Sequence, residues 1–118
     1  EYADQLPFAG VSLNTLIFEQ LEVSTTHIDW TIASKQTIDL ADTDIDFTFE
    51  TPLGAGTLLL VLNYDVDVTS INWPDTVKWQ GGVAPPLSMD LGSKDIITFY
   101  YDGADFLAIA LLDFKGTN

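Results

Sequence analysis

The chain has no cysteine and no arginine, and only one histidine. Without thiols there is no disulfide framework, no thiolate metal site and no cysteine nucleophile. A lone histidine, His27, excludes a multi-histidine zinc centre. Four lysines stand against eighteen acids, for a formal charge of −14. A field of that sign repels phosphate backbones and anionic membrane surfaces, so nucleic acid is the poorest candidate partner. Long apolar runs are also missing. The run Leu58 to Leu62 is strand-sized, and no run approaches the ~18 residues of a spanning helix, so no membrane insertion is expected. The first residues show no basic stretch followed by an apolar one, and the opening at Glu1 reads as that of an excised domain, a processed product or part of a longer protein.

What is present suits one folded domain. A chain of 118 residues buries roughly two-thirds of its unfolded surface, and 47% hydrophobic residues supply the core. The apolar pattern is mostly of period two. Ile28, Trp30 and Ile32 alternate with polar neighbours, as do Ile45, Phe47 and Phe49, so each set lines the buried side of a strand. Thr37–Ala41 reads as a third strand. Pro52, Gly54 and Gly56 punctuate the chain before Thr57–Tyr64, an apolar run short enough for a central strand covered on both faces. Val66, Val68 and Ile71 continue an extended segment that Trp73-Pro74 should end, because proline removes a ladder donor. Val77–Trp79 is a brief strand. Lys94–Tyr101 and Phe106–Phe114 form a hairpin joined at Asp102-Gly103, a dipeptide that accepts the positive φ of a type I′ turn. The expectation is an all-β antiparallel sandwich of seven to nine short strands, with a jelly roll as one variant and a closed barrel as the alternative. Residues 1–25, where Leu13, Leu16, Ile17 and Leu21 fit a helical face and Val11, Leu13 and Phe18 fit extended chain, read as an N-terminal arm or connecting segment. Residues 26–118 read as the sandwich domain.

The search for chemistry yields little that carries a reaction. Asp42, Asp44 and Asp46, like Asp65 and Asp67, recur every second residue and so share outward faces of extended chain. An EF-hand needs glycine at its sixth position, where Phe47 stands, and no metal is assigned. No Gly-x-Ser-x-Gly elbow is present to serve His27, which reads as a polar outward strand position. Gly54-Ala55-Gly56 and Gly81-Gly82 lead into neither a Lys-Ser/Thr pair nor a helix, and are turns rather than phosphate loops. No catalytic residue and no cofactor is assigned. Aromatic rings are the remaining candidates. Trp30 falls on an apolar strand face and reads as core, whereas Trp79, Trp73 and Tyr101 are candidate receptor or glycan contacts, because their faces can stack on sugar C–H groups.

From Ile38 onward an ordered series of elements stands out: Ile38-Asp39-Leu40, Asp46-Phe47-Thr48-Phe49 before a Pro/Gly turn, Thr57–Leu62, Ile71-Asn72-Trp73-Pro74, Val77-Lys78-Trp79, Gly81-Gly82, Ala84-Pro85, and Asp95–Phe99 running into Asp102-Gly103. In this order they resemble a C-terminal, fibre-type β-domain of bacteriophage tail-fibre and other virion structural proteins, over about two-thirds of the chain. The last strand departs from that pattern. Where the family often bears Trp followed by Gly, this chain runs Phe106-Leu107-Ala108-Ile109-Ala110-Leu111-Leu112, apolar on both sides, as if another subunit or domain buries it. The resemblance implies a non-enzymatic virion module in a tail fibre or capsid-associated fibre. It also implies a homo-oligomer, a trimer by preference, that contacts other virion proteins or a host-surface glycan or protein receptor. The rival readings are a free-standing carbohydrate-binding module and, last, a glycoside hydrolase using two carboxylates.

Overall fold

The computed structural model describes residues 20–116. The strands are β1 (Leu21–Val23), β2 (His27–Asp29), β3 (Lys35–Leu40), β4 (Asp44–Asp46), β5 (Thr48–Glu50), β6 (Gly56–Tyr64), β7 (Ser70–Asn72), β8 (Val77–Trp79), β9 (Lys94–Tyr101) and β10 (Phe106–Phe114). Six of them form one sheet in the order β1-β3-β6-β9-β10-β8, while β2 pairs with β5 and β4 with β7. The all-β layered architecture is the one expected, with ten strands among the described residues. The extra strand arises at Phe47, where the segment Asp44–Glu50, read as one strand, changes neighbours. The Phe47 amide donates to Asn72 on one edge and the next amide, Thr48, donates to Thr26 on the other. Successive amides of extended chain point to opposite edges, so β4–β5 bridges β7 and β2.

Pairing is mixed. β6–β9 and β9–β10 are antiparallel, but β1–β3, β3–β6, β10–β8, β2–β5 and β4–β7 are parallel. The antiparallel expectation therefore holds only in the middle of the large sheet, and a jelly roll, antiparallel throughout, is not the arrangement. Parallel neighbours need a crossover. Here no helix supplies it: between β3 and β6 the chain leaves the large sheet, runs through β4 and β5 in the smaller pairs and returns.

The core lies between the large sheet and the small pairs. Leu58, Leu60 and Leu62 of β6, Ile97 and Phe99 of β9, and Phe106 and Ala108 of β10 are buried there, with Ile28, Trp30, Ile45 and Phe47 opposite. Each such large apolar side chain contributes ~1.5–3 kcal/mol by leaving water. Eight aromatic rings interlock across the gap. Phe49 meets Phe99 at 5.5 Å and Phe106 at 5.1 Å, both edge-on, and Trp30 meets Phe99 at 5.9 Å. Edge-to-face pairs of this kind add ~0.5–1.5 kcal/mol beyond burial and fix ring orientation.

Three local expectations need correction or completion. The run in β6 is covered on one face only, since Leu59 and Val61 alternate outward and are partly exposed. The β9–β10 connection is not a type I′ turn. Among the described non-glycine residues only Met89 and Asp113 have positive φ, so Asp102 does not, whereas Gly103 has φ 103°. The loop spans four residues, and the Asp102 carboxylate accepts the amides of Ala104 and Asp105. Leu21–Val23, inside the segment read as an arm, adds to the edge of the large sheet beside β3. The alternatives weighed for residues 1–19 lie outside the described residues. Trp73-Pro74 does end β7, which stops at Asn72.

Candidate functional site

The three aromatic candidates are placed differently. Trp73 and Trp79 come together edge-on, with ring centroids 5.6 Å apart, and Trp73 stacks on Phe47 at 4.7 Å with 22° between the planes. Both are half-buried. Trp79, at the end of β8, walls a groove of about 160 Å³ with Gln80, Val83, Pro85 and the β10 residues Ala108 and Ile109. The backbone reaches this groove through Gly81 and Gly82, whose φ values of 77° and 83° suit glycine. Tyr101 is not at the surface: it is 8% exposed, with its ring 4.7 Å from Phe106. Its place as a contact residue is thus withdrawn. The geometry fixes a tryptophan pair, not a three-ring platform. Trp30 is core, as read, with its indole N–H buried and unpartnered among the described residues.

His27 is exposed on β2, as its position predicts, and its Nδ1 lies 2.7 Å from the Thr48 hydroxyl on β5. Its Nε2 is 3.9 Å from Glu50. No group of three or more His, Cys, Asp or Glu that could hold a metal occurs among the described residues. The outward aspartates are largely engaged across parallel registers. Asp44 accepts the Ser70 hydroxyl at 2.8 Å, Asp46 the Asn72 amide at 2.7 Å and Asp39 the Asn63 amide at 2.8 Å. In each case the donor is the register partner of the acid. Asp29 accepts the hydroxyl and amide of Thr31, which hold its carboxyl below the usual range.

One acid sequence reasoning missed is Asp95. It is fully buried and accepts four hydrogen bonds. The Tyr64 hydroxyl donates at 2.7 Å, the Ser88 amide at 2.8 Å and the Asp113 amide at 2.9 Å, and the Ser88 hydroxyl completes the set. Burial, reinforced by the adjacent carboxylate, pushes the Tyr64 hydroxyl far above the usual tyrosine range. The cluster ties β6, β9, the loop at Ser88 and the irregularity in β10, where Asp113 has φ 66°. Its signal lay in parity: Asp95 is in phase with Ile97 and Phe99 on the inward side of its strand.

The outer face of the large sheet is the other feature. Strand register sorts its residues into four rows. Thr57, Tyr100, Leu107 and Lys78 form the first, and Lys35, Leu59, Thr98 and Ile109 the second. Glu22, Thr37, Val61, Ile96 and Leu111 form the third, and Asp39, Asn63, Lys94 and Phe114 the fourth. The centre of this array is apolar, and Tyr100, Leu107, Ile109 and Leu111 are 48%, 45%, 49% and 50% exposed. A groove of about 340 Å³ flanks it between β1 and β6, lined by Glu22, Asp39 and Asn63 among others. Comparison with known family models, curated proteins and solved structures finds no match to this chain.

Proposed function

We propose that the chain is a non-enzymatic docking module of a virion, a β-domain of a phage tail fibre or capsid-associated fibre that mediates assembly or host-surface attachment. The observation that carries this reading is the outer face of the large sheet, with half-exposed Tyr100 of β9 and Leu107, Ile109 and Leu111 of β10. Large contiguous apolar patches are rare on free monomers and mark surfaces made to be covered. The departure of the last strand from the fibre-domain pattern falls on the same residues. Support also comes from stiffness: interlocked rings and the Asp95 cluster hold the face without disulfide, and a particle outside a cell needs that persistence.

Labelling tests the proposal. Antibodies raised to the chain should decorate the fibres of particles made by the genome that encodes it, and mass spectrometry of purified particles should recover the chain. Its restriction to the soluble lysate, with none on particles, overturns the reading. A second reading, a free-standing carbohydrate-binding module, is favoured by one feature, the Trp73–Trp79 pair beside Gln80. It requires glycan binding by the isolated chain that Trp79→Ala abolishes while the fold remains.

A further inference from the structure

We infer that the outer face of the large sheet packs against the same face of a second copy, about a two-fold axis running along the strands between β6 and β9. The inference rests on the reading of the chain as a docking module and names the occupant of its surface. Charge selects that occupant. In a chain with eighteen acids, the strand positions of this face hold only Glu22 and Asp39, against Lys35, Lys78 and Lys94. Two copies approaching through other sides set carboxylates against carboxylates, a repulsion of several kT at low salt. Through this face the acid-rich sides stay apart.

The six-strand order gives the register. Rotation about that axis lays β6 on β9 of the second copy and β3 on β10, and each row stays at its own level, while the short edge strands β1 and β8 occupy different rows and do not meet. Val61 then meets Ile96 of the second copy, and Leu59 meets Thr98, in both directions. In the fourth row Asp39 comes within side-chain reach of Lys94 of the second copy, and the symmetry makes the pair twice. The facing parts of β3, β6, β9 and β10, at ~4.8 Å between strands and ~3.4 Å per residue, give roughly 450 Å² in projection before side-chain relief, a little over half of the ~800 Å² per partner of a standard interface. Sheets stacked in this way align at about −30° and interdigitate their facing side chains.

Light scattering on the full chain and on D39K, K94E and the D39K/K94E pair tests the arrangement, with circular dichroism to confirm the fold. The wild-type mass should be twice the 13.0 kDa of one chain. Each single swap should weaken association at least about tenfold by like-charge contact, and the double swap should restore it. Because the chain lacks cysteine, K35C protein mixed with I109C protein should be joined by a bismaleimide of ~10 Å reach in excess of either like-with-like product, whose cysteines lie three strand spacings apart, at roughly 17 Å, a readout independent of the charge variants. A mass of one chain up to about 1 mM overturns the pairing, since a contact weaker than ~4 kcal/mol is no specific interface. A mass of three chains overturns it too, as do equal yields of mixed and like-with-like cross-links. Chains found on particles but monomeric in solution sink this pairing alone and leave the docking-module reading standing.

Discussion

Replacing Asp95 with alanine tests the packing logic most severely. The carboxylate is fully buried and is the shared acceptor of the Tyr64 hydroxyl, both donors of Ser88 and the Asp113 amide. Each buried donor left without an acceptor costs ~1–3 kcal/mol. The Tyr64 bond is fully buried, whereas the other three are only part-buried, so water can replace some of them. Asp95→Ala should therefore cost about 4 kcal/mol, and lower the melting midpoint by roughly 15–25 °C in a domain of this size. Asp95→Asn keeps one acceptor oxygen but turns an NH₂ toward an amide donor, so its cost should fall between those of alanine and Tyr64→Phe, the latter about 1 kcal/mol. Urea unfolding followed by tryptophan fluorescence measures all three. If Asp95→Ala costs less than about 1 kcal/mol with an unchanged m value, the cluster does not hold β6, β9 and β10 together and the reasoning fails.

Other outcomes follow from single elements. Phe99→Ala empties the centre of the aromatic cluster and should cost about 3–5 kcal/mol in the same assay, while a loss below about 1 kcal/mol would mean the rings do not interlock. Asp102 has its carboxyl lowered by the amides of Asp105 and Ala104. Its contribution is thus complete above its unfolded value near ~3.9 and is lost as pH falls through the folded value. Asp102→Ala should flatten the acid limb of a melting-midpoint profile below about pH 4, and identical limbs would count against the turn geometry. Trp79→Ala should leave the fold intact because the ring is half-buried at a strand end; glycan binding that disappears with it would move weight to the sugar-binding reading.

Period-two burial was legible wherever a strand has one wet face. Ile28 and Trp30, Ile45 and Phe47, and the β9–β10 hairpin fall where alternation places them, but Ile32, read on the same buried side as Ile28 and Trp30, is 64% exposed, because β2 ends at Asp29 and the chain turns there. Pairing direction was not legible. Asp44-Ile45-Asp46 and Ser70-Ile71-Asn72 are separated by a whole excursion through the large sheet, and nothing local says that they lie side by side and parallel. The outward acids were read as solvated, yet each of those two aspartates finds a hydroxyl or amide donor directly across, a match visible only once register is known. Tyr101 was misjudged because an aromatic next to a turn has the same local signature whether its ring turns in or out. Here its parity with Phe99 and Ile97 turns it inward. The same parity was available for Asp95, but an acid among eighteen does not stand out by type.

The central claim is that this chain works by presenting its bare sheet face to be covered. Sedimentation equilibrium across a concentration series, at about 50 mM and about 500 mM salt, tests it most directly, since the Debye length shrinks from roughly 14 Å to roughly 4 Å between them. The account predicts association that tightens as salt screens the −14 charge and that is lost on Ile109→Glu. Association that instead weakens with salt, or that survives a charge placed in the middle of the face, would contradict it.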